Sequence, residues 1–147
     1  MEKLSIFFTR EEFEYSETAK THNINNILPS EYLHNAKTLC AFTLDKIRGY
    51  IDTSIHINSG YRGPLVNKIV GGVKTSAHSQ GRAADIVVKG KTPKELFMII
   101  HKLYSEGVIP TPDQVILEPT WVHIGINAVS RNQWLQFDGK TYTNFKF

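Results

Sequence analysis

The sequence predicts a single α+β domain in which an antiparallel sheet packs against helices. Three features carry this expectation: a capping box at Thr92, strict apolar/polar alternation from Ile55 to Ser59, and a hairpin signal at Asp138-Gly139. Helical and strand patterns are interspersed along the chain, as in α+β folds, and 147 residues suit one hydrophobic core.

Residues 1–29 show an acidic stretch and then a polar one without sustained periodicity, and are expected to form an irregular arm. Ser30 offers an N-cap, and Leu33, Ala36, Leu39, Leu44, Ile47 and Ile51 recur at helical spacing, predicting one long helix before Asp52. Residues 55–59 alternate as a half-buried strand ending at Gly60. Pro64 suits the first turn of a short helix stopped by Gly71-Gly72, and residues 82–88 read as a second strand. After Thr92, the stripe Leu96, Ile99, Ile100 and Leu103 predicts a helix ended by Gly107. Residues 114–118 and 121–126 are apolar strands close enough to pair as a hairpin, and residues 134–137 and 141–145 form the last one.

Composition narrows the function classes. The net charge of +3 is not concentrated in any Lys/Arg run, so a nucleic-acid partner is not expected. The apolar run near the N-terminus is far shorter than a signal-peptide core or a membrane span, so neither membrane insertion nor a signal peptide is expected. A single cysteine, Cys40, on the apolar stripe of its helix, excludes an internal disulfide and a cysteine-rich zinc site; any zinc needs His and carboxylate ligands.

Such ligands are concentrated in the run Ser76-Ala-His78-Ser-Gln-Gly81-Arg-Ala-Ala-Asp85. His78 and Asp85 are seven apart and cannot share one helical face, but a turn at Gly81 could bring a loop histidine beside a strand aspartate. In the strand 121–126, alternation sends Val122, Ile124 and Ile126 to the core and Trp121, His123 and Gly125 to the other side. Two imidazoles and a carboxylate form a catalytic Zn2+ set that leaves a fourth position for water. Glu118, at the end of the preceding strand, would lie across the hairpin from His123 as a general base. Arg62, after the strand that ends at Gly60, could bind a substrate carboxylate or a developing oxyanion, or serve as a structural ion-pair partner.

The ordered motifs Ser59-Gly-Tyr-Arg62, Ser76-x-His78-x-x-Gly81-x-Ala83-x-Asp85 and Trp121-x-His123 resemble one family. It comprises the zinc D-alanyl-D-alanine carboxypeptidases and phage L-alanyl-D-glutamate endopeptidases, related in fold to lysostaphin-type enzymes and Hedgehog domains. The resemblance covers residues 55 to 126. It implies His78, Asp85 and His123 as zinc ligands, Arg62 as a substrate or transition-state contact, and Ser76 as support for the ligand loop. Many relatives carry the catalytic carboxylate three residues before the last histidine, a position held here by Thr120. Glu118, five before it, is the only carboxylate in residues 118–122.

By this resemblance the expected function is zinc-dependent hydrolysis of peptidoglycan stem peptides, by a monomer, with either D,D-carboxypeptidase or endopeptidase specificity. A phage-borne enzyme, made in the bacterial cytoplasm and acting on the cell wall or carried on the particle, is the expected setting. A zinc-stabilised binding module without turnover is the alternative in the same fold. Ser76 and Trp121 are expected to face substrate; Arg62, Lys74 and Arg82 are the candidate cations for a terminal carboxylate. His22, His34, His56 and His101 lack comparable company and are assigned no role.

Overall fold

A computed structural model describes residues 2–147. The described residues form six strands in one sheet and six α-helices, four of them short: α1 (Arg10–Glu14), α2 (Glu17–Thr21), α3 (Ser30–Leu39), α4 (Asp45–Ile51), β1 (Ile55–Ser59), α5 (Pro64–Ile69), β2 (Ala83–Val88), α6 (Pro93–Ser105), β3 (Gln114–Leu117), β4 (Val122–Gly125), β5 (Gln133–Phe137) and β6 (Tyr142–Asn144). The sheet order is β1-β2-β4-β3-β5-β6. All neighbours are antiparallel except β3 and β5, which run parallel because the chain crosses back before Gln133. The single α+β domain expected from sequence is present, with this one parallel pair in place of a wholly antiparallel sheet.

One face of the sheet carries the core. The stripe Leu96, Phe97, Ile100 and Leu103 of α6 meets Ala84, Ile86, Val115, Val122, Ile124 and Trp134. Alternation on β2, β3 and β4 puts this aliphatic set on one face, and a slip of one residue would turn it outward. α6 begins as predicted: the Thr92 side chain accepts from the Glu95 backbone N–H, while the Glu95 carboxylate accepts from Thr92.

Two segments differ from expectation. Residues 30–51 are helical throughout, but Pro29 rather than Ser30 occupies the cap position, and a π-helical turn, Cys40–Leu44, interrupts the α pattern. There the Asp45 N–H reaches back to the Cys40 carbonyl, five residues earlier. The extra residue keeps Cys40, Leu44 and Ile47 all buried. The second correction concerns residues 1–29. The arm holds two short helices: Thr9 and Glu12 form a capping box for α1, and the Ser16 hydroxyl caps α2. Each is too short for periodicity to show. Leu4, Phe8, Phe13 and Leu28 join the main core, and the Asp45 carboxylate accepts from Ser5 Oγ and the Ile6 and Phe7 N–H groups at 2.8, 3.1 and 3.3 Å. The arm is thus part of the domain's packing.

Candidate metal centre and its cleft

The other face of the sheet floors a cleft of about 690 Å³. Asp85 of β2 and His123 of β4 are direct cross-strand partners. Both point away from the core, since Ala84, Ile86, Val122 and Ile124 take the buried positions beside them. His78 comes from a short 3-10 turn, Ala77–Gln80, that precedes β2. Gly81 ends this turn at φ +70°, a left-handed conformation, with its hydrogen side facing the Tyr32 carbonyl. The predicted turn at Gly81 is what folds the loop histidine back over the strand.

Three ligand atoms converge. His123 Nδ1 lies 2.9 Å from Asp85 Oδ1, His78 Nε2 lies 3.3 Å from the same oxygen, and the two nitrogens are 3.2 Å apart. Tetrahedral zinc with donors at ~2.0–2.1 Å needs donor separations of about 3.3 Å. The set therefore has nearly the spacing a zinc ion requires. His78 Nδ1 donates to the Gly60 carbonyl at 2.7 Å, which fixes that proton on Nδ1 and leaves the Nε2 lone pair facing the cluster.

The protonation states suit a cation. Burial lowers the proton affinity of His78, which is only 3% exposed, and so keeps its imidazole neutral. Burial pushes Asp85 upward, but the imidazoles of His78 and His123 outweigh it and hold the carboxyl well below the usual carboxylate range. A neutral imidazole beside an ionised carboxylate is the form in which both bind metal.

The other predicted residues line the same cleft: Arg62, Ser76, Glu118 and Trp121. Ser76 Oγ accepts from the His78 backbone N–H and from Arg62 Nη2, each at 3.2 Å, so one hydroxyl ties the ligand loop to the cation. Ser76 therefore supports the loop. The Arg62 backbone N–H also donates to the His78 carbonyl at 3.1 Å, while Arg62 Nε is buried without a partner. Among the candidate cations, Arg82 spends its guanidinium on Gln80 and the Ile126 carbonyl, and Lys74 is not part of the cleft lining. Arg62 is thus the candidate cation with donor capacity to spare.

Glu118 needs a positional correction. Ile116, not Glu118, is the direct partner of His123 across the hairpin. Glu118 lies just beyond β3, where its N–H donates to the Trp121 carbonyl and closes the turn. Being two residues from Ile116, it shares the cleft face, diagonal to His123. The buried carboxyl has its proton affinity raised by burial and by the Asp85 charge. Trp121 stands at the cleft wall, on the turn before β4.

Sequence reasoning missed the supports of this site. Asn26 Nδ2 donates to the carbonyls of Glu14 and Tyr61 at 2.7 and 2.8 Å, and its Oδ1 accepts from the Gly63 N–H at 2.8 Å. The Phe13 carbonyl accepts from the Tyr61 N–H at 2.8 Å. The arm thereby clamps the loop that carries Gly60 and Arg62. No local pattern marks an asparagine that works across 35 residues of sequence.

Two imidazoles and a carboxylate, from a turn and two adjacent strands, with a buried carboxyl in the same cleft, are a donor set that could hold a catalytic metal. A family model described as Peptidase M15 matches residues 7–125, and the chain belongs to that family of metallopeptidases, which are typically zinc-dependent. No curated protein matches the chain. Among the described residues, no helix is long and apolar enough to cross a membrane.

Proposed function

We propose that the protein hydrolyses peptide bonds in bacterial peptidoglycan stem peptides, with zinc held by His78, Asp85 and His123. The observation that carries this reading is the convergence of the three donors at 2.9–3.3 Å in the same cleft as Glu118 and Arg62. Bound there, zinc would supply Lewis acidity to a water molecule and to the scissile carbonyl. Glu118 takes a proton from the attacking water and returns it to the leaving nitrogen as the C–N bond breaks, giving a carboxylate and an amine. Its raised proton affinity suits both halves of that transfer. Arg62, with donors unspent, faces the negative charge that develops on the carbonyl oxygen or the carboxylate of the substrate.

The test is release of amine from purified stem peptides, with metal content measured alongside. Wild type should bind about one zinc per chain and cleave at either the D-alanyl-D-alanine or the L-alanyl-D-glutamate bond. Glu118→Gln should keep the metal and lose about 10²–10⁴-fold in kcat. Zinc binding without turnover on any stem peptide would replace this reading with the binding module.

A further inference from the structure

The C-terminal hairpin lies beyond the stretch matched by the family model, yet it forms one wall of the cleft through Phe137 and Tyr142. The sheet register explains how. β3 and β5 pair in parallel with Leu117 opposite Gln136, so the next position along places Glu118 beside Phe137. β5 and β6 pair with Phe137 directly opposite Tyr142. Glu118, Phe137 and Tyr142 therefore form one row across three strands on the cleft face, while Trp134 of the same hairpin faces the core.

Within that row the two rings pack with centroids 4.4 Å apart at 30°. Phe137 stands between Glu118 and Tyr142 in the row, and the Tyr142 ring packs on it at the cleft. Burial, then the nearby negative charges of Glu118 and Asp85, raise the proton affinity of the phenol, so it keeps its proton and can donate. Tyr142 is nevertheless 55% exposed, as a residue at the mouth of a cleft should be and a core residue would not.

We infer that Tyr142 is a catalytic residue of the peptidase, whose hydroxyl donates a hydrogen bond to the oxygen that becomes negative as the scissile carbonyl is attacked. The inference rests on the peptidase reading above. In the resting site Tyr142 and Glu118 line the same cleft at the two ends of this row. Once Glu118 has accepted the proton of the water, its carboxylate no longer competes for the phenol, which donates to the substrate oxygen as charge builds there. A contact made mainly in the transition state raises kcat and leaves substrate binding nearly unchanged. No bond to Tyr142 forms or breaks, and its proton stays on the hydroxyl.

The experiment compares wild type with Tyr142→Phe, both zinc-loaded, on a defined stem peptide. The variant keeps the ring against Phe137 and removes only the hydroxyl, so metal content and thermal midpoint should be unchanged. The expected result is a fall in kcat of about 10- to 100-fold with KM within about twofold, the loss of one hydrogen bond to a charged group. Wild-type kcat in Tyr142→Phe, or a rise in KM with kcat unchanged, overturns the inference and leaves the peptidase reading standing. A wild type that cleaves no stem peptide overturns both.

Discussion

Asp85 and His123 face each other across β2 and β4, with a carboxylate oxygen 2.9 Å from Nδ1. This pair makes the candidate metal site a property of the sheet register: the core face holds the strands in place, and the three possible donors meet as a consequence. Zinc should bind the folded protein and not the unfolded chain, so at a free concentration 100 times Kd it should add about 2.7 kcal/mol of stability. For a domain of this size that is a rise of about 5 to 10 °C in Tm, reversed by a chelator. Asp85→Asn and His123→Ala should lose the zinc-dependent rise. A rise that survives in both would place the metal elsewhere.

Gly60, just after β1, touches both the arm and the loop that carries His78. A Cβ there would stand 2.4 Å from the Phe13 carbonyl oxygen, a backbone atom that cannot rotate away. The Gly60 carbonyl also holds the His78 ring. Gly60→Ala should therefore cost about 1–3 kcal/mol by overpacking and weaken zinc about 10- to 100-fold through the displaced hydrogen bond. Chemical denaturation and a zinc titration measure the two effects. Unchanged zinc affinity in a destabilised variant would mean that His78 is oriented by something other than Gly60.

Legibility followed the range of each interaction. The helix after Thr92, the strand 55–59 and the alternation that turns His123 from the core are local patterns, and all appear in the structure. The clustered spacing of His78, Gly81 and Asp85 survived because a turn and one strand pair are enough to close it. The helices of the arm were hidden by their shortness, and their caps at Thr9 and Ser16 are visible only once the local backbone is known. The β3–β5 parallel pair, and with it the row Glu118-Phe137-Tyr142, depends on a crossover that no window of sequence contains. Asn26 was missed for the same reason.

That missed asparagine makes its own prediction. Asn26 bonds to Glu14, Tyr61 and Gly63, on both sides of the gap between the arm and the Arg62 loop. Asn26→Ala leaves their backbone groups unpaired and should cost about 1–3 kcal/mol. Zinc content should persist, because none of the three donors touches Asn26, while kcat/KM falls as Arg62 loses its fixed position. A variant destabilised to this degree yet fully active below its melting range would separate the arm from the site.

His101, assigned no role from sequence, lies in an aromatic cluster at the C-terminus. Its ring stacks on Phe147 at 3.8 Å between centroids and meets the edge of Trp134 at 4.9 Å. Burial among these rings lowers its proton affinity below the ordinary histidine value. The unfolded chain, with an ordinary pKa of ~6.5, then binds the proton more readily than the folded one. The contribution to stability is fully present above that pH and is lost as pH falls from about 6.5 through the lower folded value. His101→Phe keeps an aromatic ring in place without a titrating group. The Tm of wild type should fall more steeply than that of His101→Phe between about pH 7 and 5, and the two slopes should agree above pH 7. Parallel slopes across the whole range would show that the imidazole protonates in the cluster without loss of packing.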